Sequence, residues 1–511
     1  MRESEENSRT SNSIKNIIFS FGFQLITLFL GFINRTIFIW ILGVNYLGIS
    51  GLFSDILSML SLADLGFSVA LTYSMYKPLA AKDYKKLAGL INLYRKVYRI
   101  IALAVTVIGL AIVPFLKYLV RLDKPIPGLT LYYLLFLANT VASYLVVYKT
   151  SILTADQKEY VLNKYRSIFS ILQTVFMTLF LWFTHNYTVY LCVQVFFTYA
   201  MNFYCSHIAE KEYPFIKEKI ELPFKEVKSI FKNLYSVFLY KISGVLLNAT
   251  DNTLISVLVG TSMVGYYSNY SMIITNATNL INTLFYSLTA SLGNLVVQES
   301  EERRYKVFQM MQSVSEILST ICICGFTFLI QDFIRLWLGN KFILDDGILL
   351  AIICNFYLGI SLLPVWVYRE ATGLYNQTKY VMVITAIINL VLSIWWGKLY
   401  GVAGIIFASV ISRLVTYVWY EPVLLFKEYF GKSSWLYFGG VLKSIILTIV
   451  LMVIEKFTIS NYLIPHTWLQ FAFKVVVVVA VTVGAVMLCY IKTPGVQLIY
   501  QKFRKIKREK L

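Results

Sequence analysis

The sequence predicts an all-α polytopic membrane protein, with about 14 transmembrane helices as two parallel six-helix repeats plus two C-terminal helices. Three observations predict it. Of 511 residues, 58% are hydrophobic and only 14% are charged, against ~45–50% and ~25% in soluble chains. Apolar runs of membrane-spanning length recur along the chain, with Lys and Arg concentrated in alternate connections. The first half of the chain also aligns on the second. The apolar excess excludes a soluble domain, a disordered chain and a nucleic-acid-binding protein, despite a formal charge of +19.

A helix needs about 20 apolar residues to cross a bilayer. Apolar spans fall near 17–41, 47–76, 100–120, 130–148, 167–184, 187–207, 234–259, 264–297, 308–331, 348–368, 380–397, 402–424, 435–457 and 468–490. Spans 47–76 and 264–297 exceed what a bilayer requires, so they are expected to tilt, bend or project. Alternating ten-residue strands of the outer-membrane kind are absent. The polar start MRESEENSRTSNSIKN lacks the apolar core and cleavage site of a signal peptide, so span 17–41 is expected to be retained. With the N-terminus inside, 34 of the 46 Lys and Arg fall in inner segments, 7 in outer loops and 5 within spans. The positive-inside rule therefore predicts a plasma (inner) membrane protein with both termini in the cytoplasm.

Residues 14–52 align without gaps over 231–269, at an offset of 217. Lys15/Lys232, Asn16/Asn233, Phe21/Phe238, Leu30/Leu247, Thr36/Thr253, Gly43/Gly260 and Gly48/Gly265 coincide. Residues 147–161 likewise fall over 367–381 at offset 220, with Tyr148/Tyr368 and Gln157/Gln377 identical and Lys149 over Arg369. Six is even, so both halves enter from the same side, as a parallel repeat. Two such bundles form a cleft, and rocking them gives alternating access. The expected organisation is a cytoplasmic tail (1–16), an N-terminal lobe (17–207) and a cytoplasmic linker (208–233). A C-terminal lobe (234–424), helices 13–14 (425–490) and a basic cytoplasmic tail (491–511) follow. In the linker, Phe224, Val227, Phe231 and Leu234 form an apolar stripe between lysines, which predicts an amphipathic helix on the inner membrane surface.

An ionisable group near the bilayer centre costs at least ~2.5–3.5 kcal/mol, so it usually faces a polar cavity or a partner. Arg35, Lys241 and Asp251 lie on the repeat-equivalent first helices of the two halves. At offset 217, Asn34 lies over Asp251 and Gln24 over Lys241, so polar residues recur at matched depths. A structural ion pair is the competing reading. Asp55 and Asp64 are nine residues apart and reach one cavity only if their helix bends; Asp55 ranks higher. Glu316 and Arg413 sit singly in their spans, and Arg369 at the end of one; an interhelical pair competes with a cavity role for each. Lys443 and Lys474 belong to the extra helices, where packing or snorkelling is expected.

Several chemistries find no support. GVNYLGIS (43–50) resembles a phosphate loop until Ile49 takes the place of the required Lys. His185, His207 and His466 are scattered, and no nucleophile elbow or carboxylate pair stands out. The six cysteines, Cys192, Cys205, Cys322, Cys324, Cys354 and Cys489, lack metal spacing and read as buried small apolar residues. The expectation is no catalytic residue, no metal and no cofactor. The basic runs at 82–99 and 502–510 point to anionic membrane lipids, with no nucleic acid required.

The run LGVNYLGISGLFSDILSMLSLADLGFSVALTYSMYKPLA (42–80) resembles helix 2, and the turn before it, of Wzx-type polysaccharide flippases. KDYKKLAGLINLYRKVYR (82–99), VYREATGLYNQTKY (367–380) and Lys241…Asp251 with GTSMVGYYSNYS (260–271) are similar to that family too. It is a branch of the multidrug/oligosaccharidyl-lipid/polysaccharide exporter superfamily. The resemblance implies two six-helix lobes around a central cavity. It also implies translocation of undecaprenyl-diphosphate-linked oligosaccharide to the outer leaflet, for capsule, exopolysaccharide or O-antigen synthesis. Polysaccharide polymerase and glycosyltransferases would be partners. A diphosphate needs cations, a role that Arg35 and Lys241 suit. Asp55 and Asp251, with Asn34 and Gln24, could couple H⁺ or Na⁺. By analogy with lipid II flippases, helices 13 and 14 could hold the lipid tail. Lipid II flipping and cation-coupled multidrug export are the rival readings.

Overall fold

The computed structural model describes residues 25–60, 67–122, 126–156, 158–460 and 462–509. The chain divides into two compact units, Met1–Gly265 and Tyr266–Leu511. In the first, α1 is Leu25–Leu42, α2 Val44–Leu60, α3 Phe67–Ala80, α4 Tyr84–Ile112 and α5 the short turn Leu116–Leu119. They are followed by α6 Leu129–Tyr144, α7 Val147–Ala155, α8 Glu159–Thr184, α9 Tyr187–Glu212, α10 Phe224–Ala249 and α11 Asp251–Leu258. Next, α12 (Thr261–Tyr286) starts at the end of this unit. The second unit adds α13 Thr289–Gln298, α14 Glu301–Leu338, α15 Asp346–Thr372, α16 Tyr375–Leu414 and α17 Tyr417–Leu425. It ends with α18 Trp435–Glu455, α19 Trp468–Tyr490 and α20 Pro494–Glu509.

Each of the fourteen apolar spans falls on helix wherever it is described, apart from short turns within a few of them. The chain is an all-α polytopic membrane protein. Among the described residues, eight helices are individually long and apolar enough to cross a bilayer, and α6 with α7, bent by 45°, counts as a ninth if the pair is one span. Span 264–297 breaks at Ser287–Leu288 into α12 and α13. Span 47–76 carries α2 and α3, and its middle lies outside the described residues. With 38 residues, α14 is ~57 Å long at ~1.5 Å per residue, so it projects beyond a ~30 Å hydrocarbon core.

The turns follow from backbone chemistry. Gly43 (φ +84) separates α1 from α2, and its repeat mate Gly260 (φ +147) separates α11 from α12. Both sit where an L side chain is strained. Within α16, Gly401 (φ 61, ψ −137) reverses the chain, so predicted spans 11 and 12 form a hairpin. Asn389 Nδ2 donates to Ser409 Oγ across it at 2.8 Å, and the Thr385 and Thr416 hydroxyls meet at 2.7 Å. Exposed Trp40, Trp182, Trp419, Trp435 and Trp468 lie at or near helix ends, as interfacial aromatics do.

Two expectations need correction. The linker is not a separate surface helix. Pro214–Lys217 is a 3₁₀ turn, the chain is irregular to Pro223, and Phe224 opens α10. The linker is strapped along α4 instead: Arg95 donates to the Ile216 carbonyl (2.7 Å) and Asn92 to that of Ile220 (2.9 Å). Lys86–Glu226 closes the strap at 2.9 Å. The compact units divide after Gly265, and α10 and α11 pack on α2. Finally, Cys192 and Cys489 are exposed. An apolar side chain in a membrane protein need not be inward, since lipid is as apolar as the core.

Candidate functional site

In the first unit the singled-out polar residues fall in two places, Asn34 and Arg35 on α1 beside α9, and Asp55 on α2 beside the start of α11. Asn34 bridges two helices: its Nδ2 donates to Tyr190 Oη on α9 (2.9 Å), and its Oδ1 accepts from Thr178 on α8 (3.0 Å). Arg35 is half-buried on α1, within electrostatic reach of Tyr190. Asp55 on α2 lies within electrostatic reach of the backbone and side-chain N–H of Asn252, in the first turn of α11. A carboxylate there meets the unsatisfied N–H groups of a helix start. The neighbouring Asp251 is buried. Asp55 and the Asp251–Asn252 pair are thus brought together, whereas Asn34 is committed to α8 and α9. Lys241 lies on α10, but its side chain is outside the described part, as are Gln24 and Asp64.

Around these polar groups lies an aromatic cluster. Tyr187 packs against Phe38 (5.7 Å), Tyr46 (5.1 Å) and Tyr132 (4.7 Å between centroids). Tyr187 Oη also meets Ser50 Oγ at 2.7 Å. Phe38, Tyr132, Tyr187 and Tyr190 are all buried. They tie α1, α2, α6 and α9 together as core.

Beside the cluster, α2 crosses the start of α12 in a self-complementary way. Ser262 Oγ donates to Asn45 Oδ1 at 2.8 Å, and these residues are 217 apart. Gly48 and Gly265, the next repeat pair, face each other across the crossing. A methyl on Gly48 would overlap the Thr261 carbonyl oxygen, and one on Gly265 the Val44 carbonyl oxygen. Residues related by the sequence repeat thus touch each other. A second contact reinforces it. The Arg121 carbonyl accepts from Thr261 N (2.8 Å), Arg121 N donates to Thr261 Oγ1 (2.9 Å), and Ser256 Oγ donates to the Leu119 carbonyl (2.7 Å).

In the second unit the lower-ranked residues resolve as interhelical contacts. The Arg369 guanidinium reaches both carboxylate oxygens of Glu421 on α17, at 3.0 and 2.9 Å. Both residues are buried. Buried Arg413 lies close by, since it and the Arg369–Glu421 pair all act on the Tyr417 ring hydroxyl. Glu316 is buried on α14 and accepts from Gln312 (2.8 Å), which also donates to the Tyr437 carbonyl of α18. Lys443 packs over the Tyr490 ring and donates to the Cys489 carbonyl, while Lys474 pairs with Asp332 at 2.7 Å.

The first unit carries a counterpart of the Arg369 pair. Lys149, which aligns with Arg369, binds Glu210 at 2.6 Å. That hydrogen bond outweighs partial burial and holds the Glu210 carboxyl below its ordinary range. A depressed carboxyl contributes stability above its unfolded value and loses it as pH falls through the folded one. Glu210→Gln is therefore expected to flatten the acid limb of a pH-dependent thermal melt; an unchanged limb would count against the pair.

No family model matches this sequence. No curated protein matches it either. Solved structures do. The inward closed conformation of lipid II flippase MurJ superposes with a TM-score of 0.66 at 17% identity, covering 94% of this chain and 100% of that one. The chain has the fold of the multidrug/oligosaccharidyl-lipid/polysaccharide (MOP) exporters. An inward-facing multidrug resistance MATE transporter of the MOP superfamily matches at TM-score 0.57 and 14% identity, covering 77% of this chain and 93% of that one. A point mutant of the Vibrio cholerae MATE transporter VcmN matches at 0.55 and 13%, covering 84% and 100%. This MOP-fold chain thus matches transporters and a flippase.

Sequence reasoning missed Asn252, Glu421 and the Asn45/Ser262 contact. The last was within reach, because it lies inside the 217-offset alignment. Asn252 gave no such signal, since an uncharged residue beside Asp251 does not stand out in composition.

Proposed function

We propose that this chain is a flippase that carries undecaprenyl-diphosphate-linked oligosaccharide from the inner to the outer leaflet of the bacterial plasma membrane. The carrying observation is coverage. The MurJ structure accounts for 94% of this chain, whereas the two MATE structures account for 77% and 84%. A frame that extends over nearly the whole chain favours a lipid-linked cargo over a drug. The α2–α12 crossing is the outer mouth in its closed state. Arg35 and Lys241 offer cations to the diphosphate, and Asp55 with Asp251 provides the acidic groups for coupling H⁺ or Na⁺. The glycan polymerase and glycosyltransferases act beside it, and both termini are cytoplasmic.

Arg35→Ala and Lys241→Ala are each expected to abolish surface polysaccharide at normal protein level. Full export by both variants would remove the cationic-cavity reading. Labelling of single cysteines should find 261–263 from outside the cell and 303–306 only from inside; the reverse would invert the topology. The MurJ likeness also favours a second reading, lipid II as cargo. Rescue of a strain depleted of its lipid II flippase would select it, and failure to rescue with restored polysaccharide in a flippase-null strain would select the first.

A further inference from the structure

Glu455 ends α18 and is fully buried. Leu451 and Ile459 flank it one turn to either side. They pack with Cys324, Val486 and Tyr490 on one side and with Phe328 and Val478 on the other, contributed by α14 and α19. Charged groups near it are accounted for. Lys474, two turns before Thr482 on α19, is held by Asp332, which Arg335 also binds. Lys456, next in sequence, is exposed. Cys324 on α14 and Tyr490 on α19 are the titratable side chains of the same core. Among the described residues no cation lies within ion-pair distance of Glu455, and its Oε2 has no hydrogen-bond partner.

The hydrogen count around Thr482 decides the form of the acid. Thr482 Oγ1 lies 2.5 Å from Glu455 Oε1 and 2.7 Å from the Val478 carbonyl oxygen. A threonine hydroxyl has one proton, and a carbonyl only accepts. If Thr482 donates to Val478, the 2.5 Å contact needs a second proton, and the carboxyl is the group that can carry it. An ionised Glu455 would leave one of the two contacts without hydrogen. It would also hold an uncompensated charge in hydrocarbon.

We propose that Glu455 is a proton-binding site: it holds a proton as a neutral carboxylic acid that donates from Oε1 to Thr482, and this proton lets α18 and α19 dock on α14. Oε2 is then the carbonyl oxygen, an acceptor that is tolerable unpaired. The proton is bound in the docked state and is lost more readily when the helices part. Docking therefore weakens as pH rises, the opposite sign to a salt-bridged carboxylate. The proposal does not depend on the transported cargo.

Infrared difference spectra of the purified protein, wild type minus Glu455→Gln, test it at neutral pH. The expected result is a protonated-carboxyl C=O band that the Gln variant loses and that Thr482→Val shifts. A carboxylate band lost instead would overturn the proposal. Melting temperature against pH gives a second readout. Relative to Glu455→Gln, the wild type should lose stability from mildly acidic to alkaline pH, and a constant difference would also overturn it. If the Gln variant does not fold, the band shift in Thr482→Val decides alone: a shift supports the site, and an unmoved spectrum sinks it.

Discussion

A disulfide between Asn45→Cys and Ser262→Cys is expected to abolish export, with recovery on reduction. The two side chains meet at 2.8 Å, so cysteines at these positions face each other across the crossing. In the proposed cycle this crossing must separate once per turnover, and a covalent tie forbids that. Gly48→Ala should act in the opposite sense. Its methyl meets the Thr261 carbonyl, which is backbone and cannot rotate away. Overpacking of this kind costs about 1–3 kcal/mol, a shift of about 5–150-fold away from the crossed state. Buried Ser256, replaced by Cys, should then label faster from outside. Unimpaired export after complete crosslinking would show that the crossing is not a gate.

Arg369→Met is expected to destabilise the protein by about 3–5 kcal/mol, because it removes the guanidinium that meets both oxygens of a buried carboxylate. Glu421 is only 2% exposed, so water cannot replace the guanidinium. The double variant Arg369→Met/Glu421→Met should recover most of the loss, since two apolar side chains need no partner. The aligned pair provides the contrast. Lys149 and Glu210 are 20% and 22% exposed at the side chain, so Lys149→Met should cost under about 1 kcal/mol. Thermal unfolding in detergent compares all three, and equal losses for the two single variants would refute this assignment.

These two pairs show how far the repeat could be read. The alignment placed Lys149 over Arg369, and both prove to sit in ion pairs. It did not identify their partners, because Glu210 and Glu421 lie at a different offset and outside either aligned segment. Intramembrane charge was a good guide to where polar networks occur and a poor guide to what they do. Glu316, Arg369 and Lys474 are visible as anomalies, yet Arg369 and Lys474 each engage a neighbouring helix, and Glu316 bonds Gln312 of its own helix, which reaches the Tyr437 carbonyl of α18. Glu455 attracted no notice at the end of its apolar span, although it is among the most deeply buried acids described.

The sequence by itself determined the helical class, the span positions, the membrane reading and the two-fold repeat. Those follow from one-dimensional quantities: the length of apolar runs, the alternation of basic residues, and spacings that survive duplication. The tertiary structure alone decided which polar residue meets which, that α10 and α11 pack with the first unit, and that the linker straps α4 rather than lying free. In a membrane protein every helix face is apolar enough to be inside, so hydrophobic periodicity does not say which face packs. Contacts such as Gly48 with Thr261 depend on backbones approaching closely, and that approach is set by packing in three dimensions.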